Sequence, residues 1–342
     1  MSKLQPTQNL FDKIKTLVQE ARAQVTRTIN KTMVVTHYEI GRYIVEDEQA
    51  GAERATRHKK TLINLSKLLN QEFGRGFSVD NLQNMRHFYL VYSKYETPSR
   101  IIEKASLSWS HFIFLSRIDN EAERKFYEIE ATKNQWSLRE LKRQFNSALY
   151  ERLALSTDKD GIKTLSEKGQ IIEKPEQMIK DPYILEFLDL PTRTQYSESD
   201  IEQALIDKLQ AFLLELGKGF TFVARQSRIT FAEKHFYIDL VFYNRILQCF
   251  VLIDLKIGEL THQALGQMQM YVNYFDREKL LEHENKTIGI VICRQKEDAV
   301  VEYTLPENTQ IFASQYQTVL PDKAALQAQV RAILEQENKE ED

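Results

Sequence analysis

The chain has 342 residues, 42% hydrophobic and 28% charged, and a net charge of −3. This composition is that of a globular protein long enough for two domains, and it excludes a disordered or fibrous chain. No window approaches the roughly 18 apolar residues of a membrane span, so the sequence predicts a cytoplasmic protein with no membrane partner.

The charge is unevenly spread. Residues 1–150 hold 24 Lys/Arg against 17 Asp/Glu, whereas residues 151–342 hold 22 against 32. A basic half is what phosphate contacts leave on a sequence, and an acidic half can hold a metal. The first residues, Met-Ser-Lys-Leu-Gln-Pro, lack the apolar core of a signal peptide. Cys249 and Cys293 have no metal-ligand spacing and read as reduced core residues.

In chain order, residues 8–50 predict one long helix. Leu10, Ile14, Leu17, Ala21, Val25, Ile29, Met33 and His37 recur every three or four residues. Such a helix cannot bury its stripe alone, so it packs on the next helices or on a second copy of the chain. Residues 55–92 predict two helices around the turn Arg75-Gly76-Phe77, with Ser78 capping the second and Asp80 in its first turn. The second helix turns Leu82, Met85, Phe88 and Tyr89 inward and shows Asn81, Gln83, Asn84, Arg86 and His87 outward. That pattern suits a helix-turn-helix in which the amides, Arg86 and the turn residue Arg75 meet bases or phosphates. It equally suits an αα-hairpin with a solvated face.

Residues 107–115 read as a buried helix or as a strand such as a wing. Helices follow at 120–133 and from the capping box Ser137–Glu140 to about Arg152. Trp109 and Trp136 read as core. A helical domain over 1–152, a linker over 153–170 and a second domain over 171–342 result. Pro175, Pro182 and Pro191 punctuate short helices at the entrance to that second domain.

The helix expected over 198–217 carries Ile206, Leu209, Leu213 and Leu216, with Glu202 in register with that apolar face. Strands are expected at 220–226, 228–232, 235–243 and 247–256, a helix at 259–276, strands at 287–293 and 310–314, and a terminal helix at 322–336. The order gives an α+β protein whose second half is a mixed sheet flanked by helices. In strand 247–256, Cys249, Val251, Ile253 and Leu255 share one face; Phe250, Leu252, Asp254 and Lys256 share the other. In strand 235–243, Phe236, Ile238, Leu240 and Phe242 share a face and leave Asp239 on the other. A buried charge is costly unless paired. Lys256 neutralising Asp254 is the plain explanation, but three charges at the ends of two adjacent strands are also a kit for metal-assisted phosphodiester hydrolysis. Two carboxylates suit a hard cation, and a lysine can position or deprotonate water.

Asp239 followed by Asp254-Leu255-Lys256 is similar to the PD-(D/E)XK nuclease signature, with Ile238 in place of its proline. Together with Phe222-Val223-Ala224-Arg225-Gln226, the run Tyr237–Tyr243 and Gly266-Gln267-Met268-Gln269-Met270-Tyr271, the chain resembles the YhcG family of bacterial PD-(D/E)XK nucleases over nearly its whole length. The resemblance implies a restriction-endonuclease-like fold and Mg2+ (or Mn2+) held by Asp239, Asp254, the Leu255 carbonyl and Glu202. It also implies roles for Gln267 and Tyr271 in orienting the site or contacting the scissile strand. Arg225 and Gln226 stand near enough to meet nucleic acid. The implied activity is DNA cleavage, in defence against foreign DNA or in mobile-element biology. A nuclease acting on RNA or branched DNA, and an inert nuclease fold used for binding or assembly, remain open. Cutting both strands of a duplex favours a homodimer. The absence of P-loop and dinucleotide fingerprints argues against a nucleotide cofactor.

Overall fold

The computed structural model describes residues 5–50, 55–94, 107–156, 159–189, 197–231, 233–306 and 309–340. Pro191 and the tip residue 232 lie outside them. Contacts divide the chain into two compact units, Met1–Leu141 and Lys142–Asp342.

Unit 1 is helical. Its elements are α1 (Gln5–Ala50), α2 (Ala55–Phe73), α3 (Val79–Tyr92), α4 (Trp109–Leu115), α5 (Glu121–Lys133) and the start of α6 (Leu138–Asn146). The segment that read as helix or wing strand is therefore helix α4. No proline interrupts α1 after its first turn, so at 1.5 Å per residue its 46 residues run for about 70 Å. Its core is Ile44, Leu62, Leu82 and Met85, with Phe77 and Trp109 against it. The Phe88 ring packs on Tyr38, Tyr92, Trp109 and Phe112. Gly41 sets how closely α1 approaches α3, because a Cβ there would lie 2.1 Å from the Met85 carbonyl oxygen. A backbone atom cannot rotate away. Gly41→Ala should therefore destabilise unit 1 at the upper end of about 1–3 kcal/mol, measured by chemical denaturation.

Among the described residues, no helix is long and apolar enough to cross a membrane. The stretch read as a linker, 153–170, instead holds helical structure. Helices α7 (Leu149–Leu155) and α8 (Lys159–Lys168) both contact the terminal helix of unit 2. The apolar residues Leu153, Ile162 and Leu165, which gave no clear period in sequence, are buried. Ala148, in a left-handed conformation, breaks the expected 137–152 helix into α6 and α7.

Unit 2 is built on a six-stranded mixed sheet. Short 3-10 turns at Pro175–Met178 and Glu186–Leu188 flank β1 (Tyr183–Ile184). Then come α9 (Glu198–Asp207), α10 (Leu209–Leu216), β2 (Phe220–Phe231), β3 (Lys234–Asn244), β4 (Cys249–Glu259), α11 (His262–Glu278), β5 (Ile288–Gln295), α12 (Asp298–Thr304), β6 (Ile311–Gln317) and α13 (Lys323–Glu340). The strand order is β1-β6-β5-β4-β3-β2. β4, β5, β6 and β1 pair in parallel, whereas β2, β3 and β4 form an antiparallel meander. On one face, Leu240, Phe242, Cys249, Val251, Ile253 and Leu255 pack on Ile201, Leu205, Phe212 and Leu216 of α9 and α10. On the other, Val241, Leu252, Val291 and Cys293 pack on Leu265, Met268, Val272 and Phe275 of α11. Burial pushes the Cys249 and Cys293 thiols up to about 12 and 11, so neither is a ready nucleophile.

Two differences from the sequence reading position the site. The expected strands 220–226 and 228–232 are one strand, β2, irregular between Phe222 and Ala224 and left-handed at Gln226. In addition, Phe236 and Ile238 do not share the Leu240–Phe242 cluster but pack with Ile229 on the α11 side. β3 pairs with β4 only from Leu240 to Asn244. Below Leu240 the β2–β3 ribbon leaves β4 and twists, as bulged two-stranded ribbons do. Asp239 sits where the strands part.

Candidate active site

The parting of β3 from β4 exposes the Leu255 amide, which would otherwise continue the ladder. Asp239 Oδ2 accepts that N–H at 2.8 Å. This bond ties the β3 carboxylate to the strand that carries Asp254 and Lys256, so the three charged residues expected to converge do so. On β4, Asp254 is buried, and its Oδ2 meets Lys256 Nζ at 2.8 Å. Burial first, and the Asp239 charge second, push the Asp254 carboxyl up to about 6 even though Lys256 pulls the other way. Burial alone would depress Lys256. The charges of Asp254, Glu198 and Asp239 outweigh it and raise its pKa, so Lys256 is an ammonium donor here.

A second arm reaches the site from α9. Ser197 caps this helix, accepting the Asp200 N–H at 3.2 Å. One turn apart, Glu198 and Glu202 project toward the strands. Glu198 Oε2 lies 3.5 Å from Lys256 Nζ. Glu202, buried, accepts Gln226 Nε2 at 2.5 Å and Arg225 Nε at 3.1 Å. The Gln226 amide also donates to Asp239 Oδ1 at 3.1 Å. The left-handed backbone at Gln226 aims this amide between two carboxylates, so Glu202 reaches Asp239 through Gln226 rather than directly. Arg225 Nη1 is held by Gln203 Oε1 at 2.7 Å.

The third arm is α11, which Thr261 caps just beyond the end of β4. Gln267 Nε2 donates to the Tyr271 hydroxyl at 2.5 Å, and that hydroxyl donates to the Tyr237 carbonyl at 2.9 Å. Tyr271 thus clamps the ribbon residue two before Asp239. Burial, then the Asp254 charge, pushes its phenol up to about 12, so it remains protonated.

The donors fit a hard cation. Two carboxylates converge beside one ammonium, and the buried one is held well above its ordinary range by burial first and by the Asp239 charge second. Among the described residues, no group of three His, Cys, Asp or Glu is placed to hold a metal unaided. Glu202 is occupied by Arg225 and Gln226, and Leu255 is engaged through its N–H. A small divalent ion bound by one or two carboxylates completes its shell with water and phosphate oxygens.

The residues expected to read nucleic acid on α3 fall in unit 1, and several serve its packing. Asn81 donates to the Gly76 carbonyl at 2.6 Å and accepts Trp109 Nε1 at 2.9 Å. Arg86 Nε bonds Glu48 at 2.7 Å, and His87 Nε2 is 2.8 Å from the Ser116 carbonyl. Asn84 meets Arg117 at 3.5 Å, whereas Arg75 and Gln83 stand exposed. Sequence reasoning missed Glu198 and Gln203. Glu198 stood four residues before Glu202, a spacing that puts both on one helix face. Gln203 carried no such signal.

Residues 176–331 match the family described as YhcG PDDEXK nuclease domain, and residues 13–152 match that described as DUF1016 N-terminal domain. The chain is 38% identical to the Escherichia coli K12 protein named "Putative nuclease YhcG", across 96% of each chain. Among solved structures, similarity extends to a repair endonuclease from Pyrococcus abyssi (15% identity, TM-score 0.27) and to an EndoMS–dsDNA complex (12%, TM-score 0.27). Each alignment covers 38% of this chain, and the chain spans about half the length of those structures (50%).

Proposed function

The chain belongs to the YhcG family and carries its PD-(D/E)XK nuclease domain, and from that premise we propose that it hydrolyses phosphodiester bonds of DNA with Mg2+ or Mn2+. The observation that carries this reading is the hydrogen bond that the Leu255 N–H donates to the Asp239 carboxylate, which brings a second carboxylate to Asp254 and Lys256. A divalent ion bound at Asp239 and Asp254 would supply Lewis acidity at the scissile phosphate.

The chain's own groups divide the remaining work. Lys256, an ammonium beside Asp254, can donate to the attacking water or to the phosphate oxygens as negative charge grows on them. In that step the water oxygen forms a bond to phosphorus, the bond to the leaving deoxyribose oxygen breaks, the water's proton passes to solvent or a site carboxylate, and the leaving oxygen takes a proton from solvent. Gln226 holds Asp239 at the fork, and Tyr271 with Gln267 fixes the ribbon behind it. DNA as substrate is supported by the basic charge of residues 1–150. The test is plasmid cleavage by the purified chain. Nicking or linearisation is expected with Mg2+ or Mn2+ and not with EDTA. DNA retained on a gel but uncut with either ion would overturn the reading in favour of a binding protein.

A further inference from the structure

The apolar side of the first two thirds of α1 is exposed. Every residue from 9 to 29 is exposed, and the helix enters the core of unit 1 only from Val34 onward. Yet Leu10, Phe11, Ile14, Leu17, Val18, Val25, Ile29 and Met33 are 43–66% exposed along one side of this arm. Eight such side chains, each offering roughly 100 Å² of apolar surface, come to about 800 Å². That is close to what one partner contributes to a standard stable interface.

Two further features identify what covers the arm. Its stripe continues along α1 to Ile40 and Tyr43, which with Ile44, Leu62, Leu65 and Leu69 line an apolar groove of about 410 Å³ between α1 and α2. The charge along α1 also reverses. Residues 9–33 carry Lys13, Lys15, Arg22, Arg27 and Lys31 against Asp12 and Glu20, whereas residues 34–50 carry Glu39, Glu46, Asp47 and Glu48 against Arg42, which bonds Glu39 and Glu46, while Glu48 bonds Arg86 of α3.

We propose that a second copy of this chain covers the arm, the two α1 helices lying antiparallel so that the tip of each, Leu10 and Phe11, enters the groove of the other. In that orientation the basic arm of one copy runs along the acidic end of its partner's α1, and the interface closes on itself with twofold symmetry. A parallel pair would set basic arm beside basic arm and leave both grooves empty.

Light scattering of the full chain on a sizing column at micromolar concentration should give twice its 40.2 kDa. Leu17→Asp with Val25→Asp should give the monomer with an unchanged thermal transition, because neither residue touches the core. Lys13→Glu with Lys15→Glu should weaken dimerisation by tenfold or more, and adding Glu39→Lys, opposite residue 15 when Phe11 meets Tyr43, should recover part of it. Phe11→Cys with Tyr43→Cys should cross-link two chains, the native thiols being buried. A wild-type monomer would overturn the proposal. So would a cross-link formed by Phe11→Cys alone, which reports parallel arms, or a monomer that floats with anionic vesicles through the arm.

Discussion

Replacing Asp254 with asparagine should reduce cation-dependent cleavage by about a thousandfold or more, without lowering the melting temperature of the metal-free protein. The first effect follows from removing one of two carboxylates that face the proposed ion, a loss larger than that of a single hydrogen-bond donor to a developing charge. The second follows from the surroundings of Asp254, which is buried beside the like charge of Asp239 and held above the ordinary carboxylate range. A neutral amide of the same shape relieves both burdens. The change costs Lys256 its partner at 2.8 Å, but this lysine is 23% exposed and keeps Glu198 at 3.5 Å. The balance should be neutral or a gain of up to about 2 kcal/mol. Mg2+ should then raise the melting temperature of the native chain and leave that of Asp254→Asn unmoved. Cleavage within tenfold of native, or a fall of many degrees in melting temperature, would sink the assignment.

That charges belong at the ends of β3 and β4 was legible because strand side chains alternate, and Asp254 and Lys256 interrupt an otherwise apolar run from Cys249 to Ile257. What alternation could not supply was the fork. Period-two reasoning placed Phe236 and Ile238 beside Leu240, but the ribbon twists once β3 leaves β4, and both pack on the α11 side. A local bulge and one left-handed residue, Gln226, decide this, and neither leaves a compositional mark. The amide that joins Glu202 to Asp239 was likewise invisible as geometry, although Gln226 stood among the suspected residues. On α3 the same polar residues fit two explanations. Asn81, Arg86 and His87 serve packing because their partners, Trp109, Glu48 and Ser116, lie 28, 38 and 29 residues away. Such pairings are set by the tertiary fold, and no local window contains them.

Glu215→Gln should cost unit 2 about 3–5 kcal/mol, although this residue lies outside the proposed site. Its side chain, fully buried on α10, gathers Arg152 Nη1 at 2.8 Å, Arg143 Nη1 at 3.1 Å and the Ile184 amide at 2.9 Å. Lys180 donates to the Glu215 backbone carbonyl. Helices α6, α7 and α10 and strand β1 thus converge on one carboxylate. Glutamine keeps the shape but removes the counter-charge of buried Arg152, the costly half of a broken buried pair, while Arg143 keeps Glu186 at 3.0 Å. Burial alone would raise the Glu215 carboxyl, but the charges of Arg152, Lys180 and Arg143 overcome it and hold it down to about 2, against an ordinary 4.5. A depressed acid stabilises the fold fully above its unfolded pKa and loses that contribution as pH falls through the folded one. Native unit 2 should therefore lose about 3 kcal/mol from this group between pH 4.5 and 2. The glutamine variant, already without it, should show a flatter acid limb over that window. Urea titrations of both proteins at pH 7 and pH 3 give the two slopes. Parallel acid limbs, or a difference at pH 7 under about 1 kcal/mol, would mean that the cations find other partners and that this carboxylate is not what holds α10 to β1.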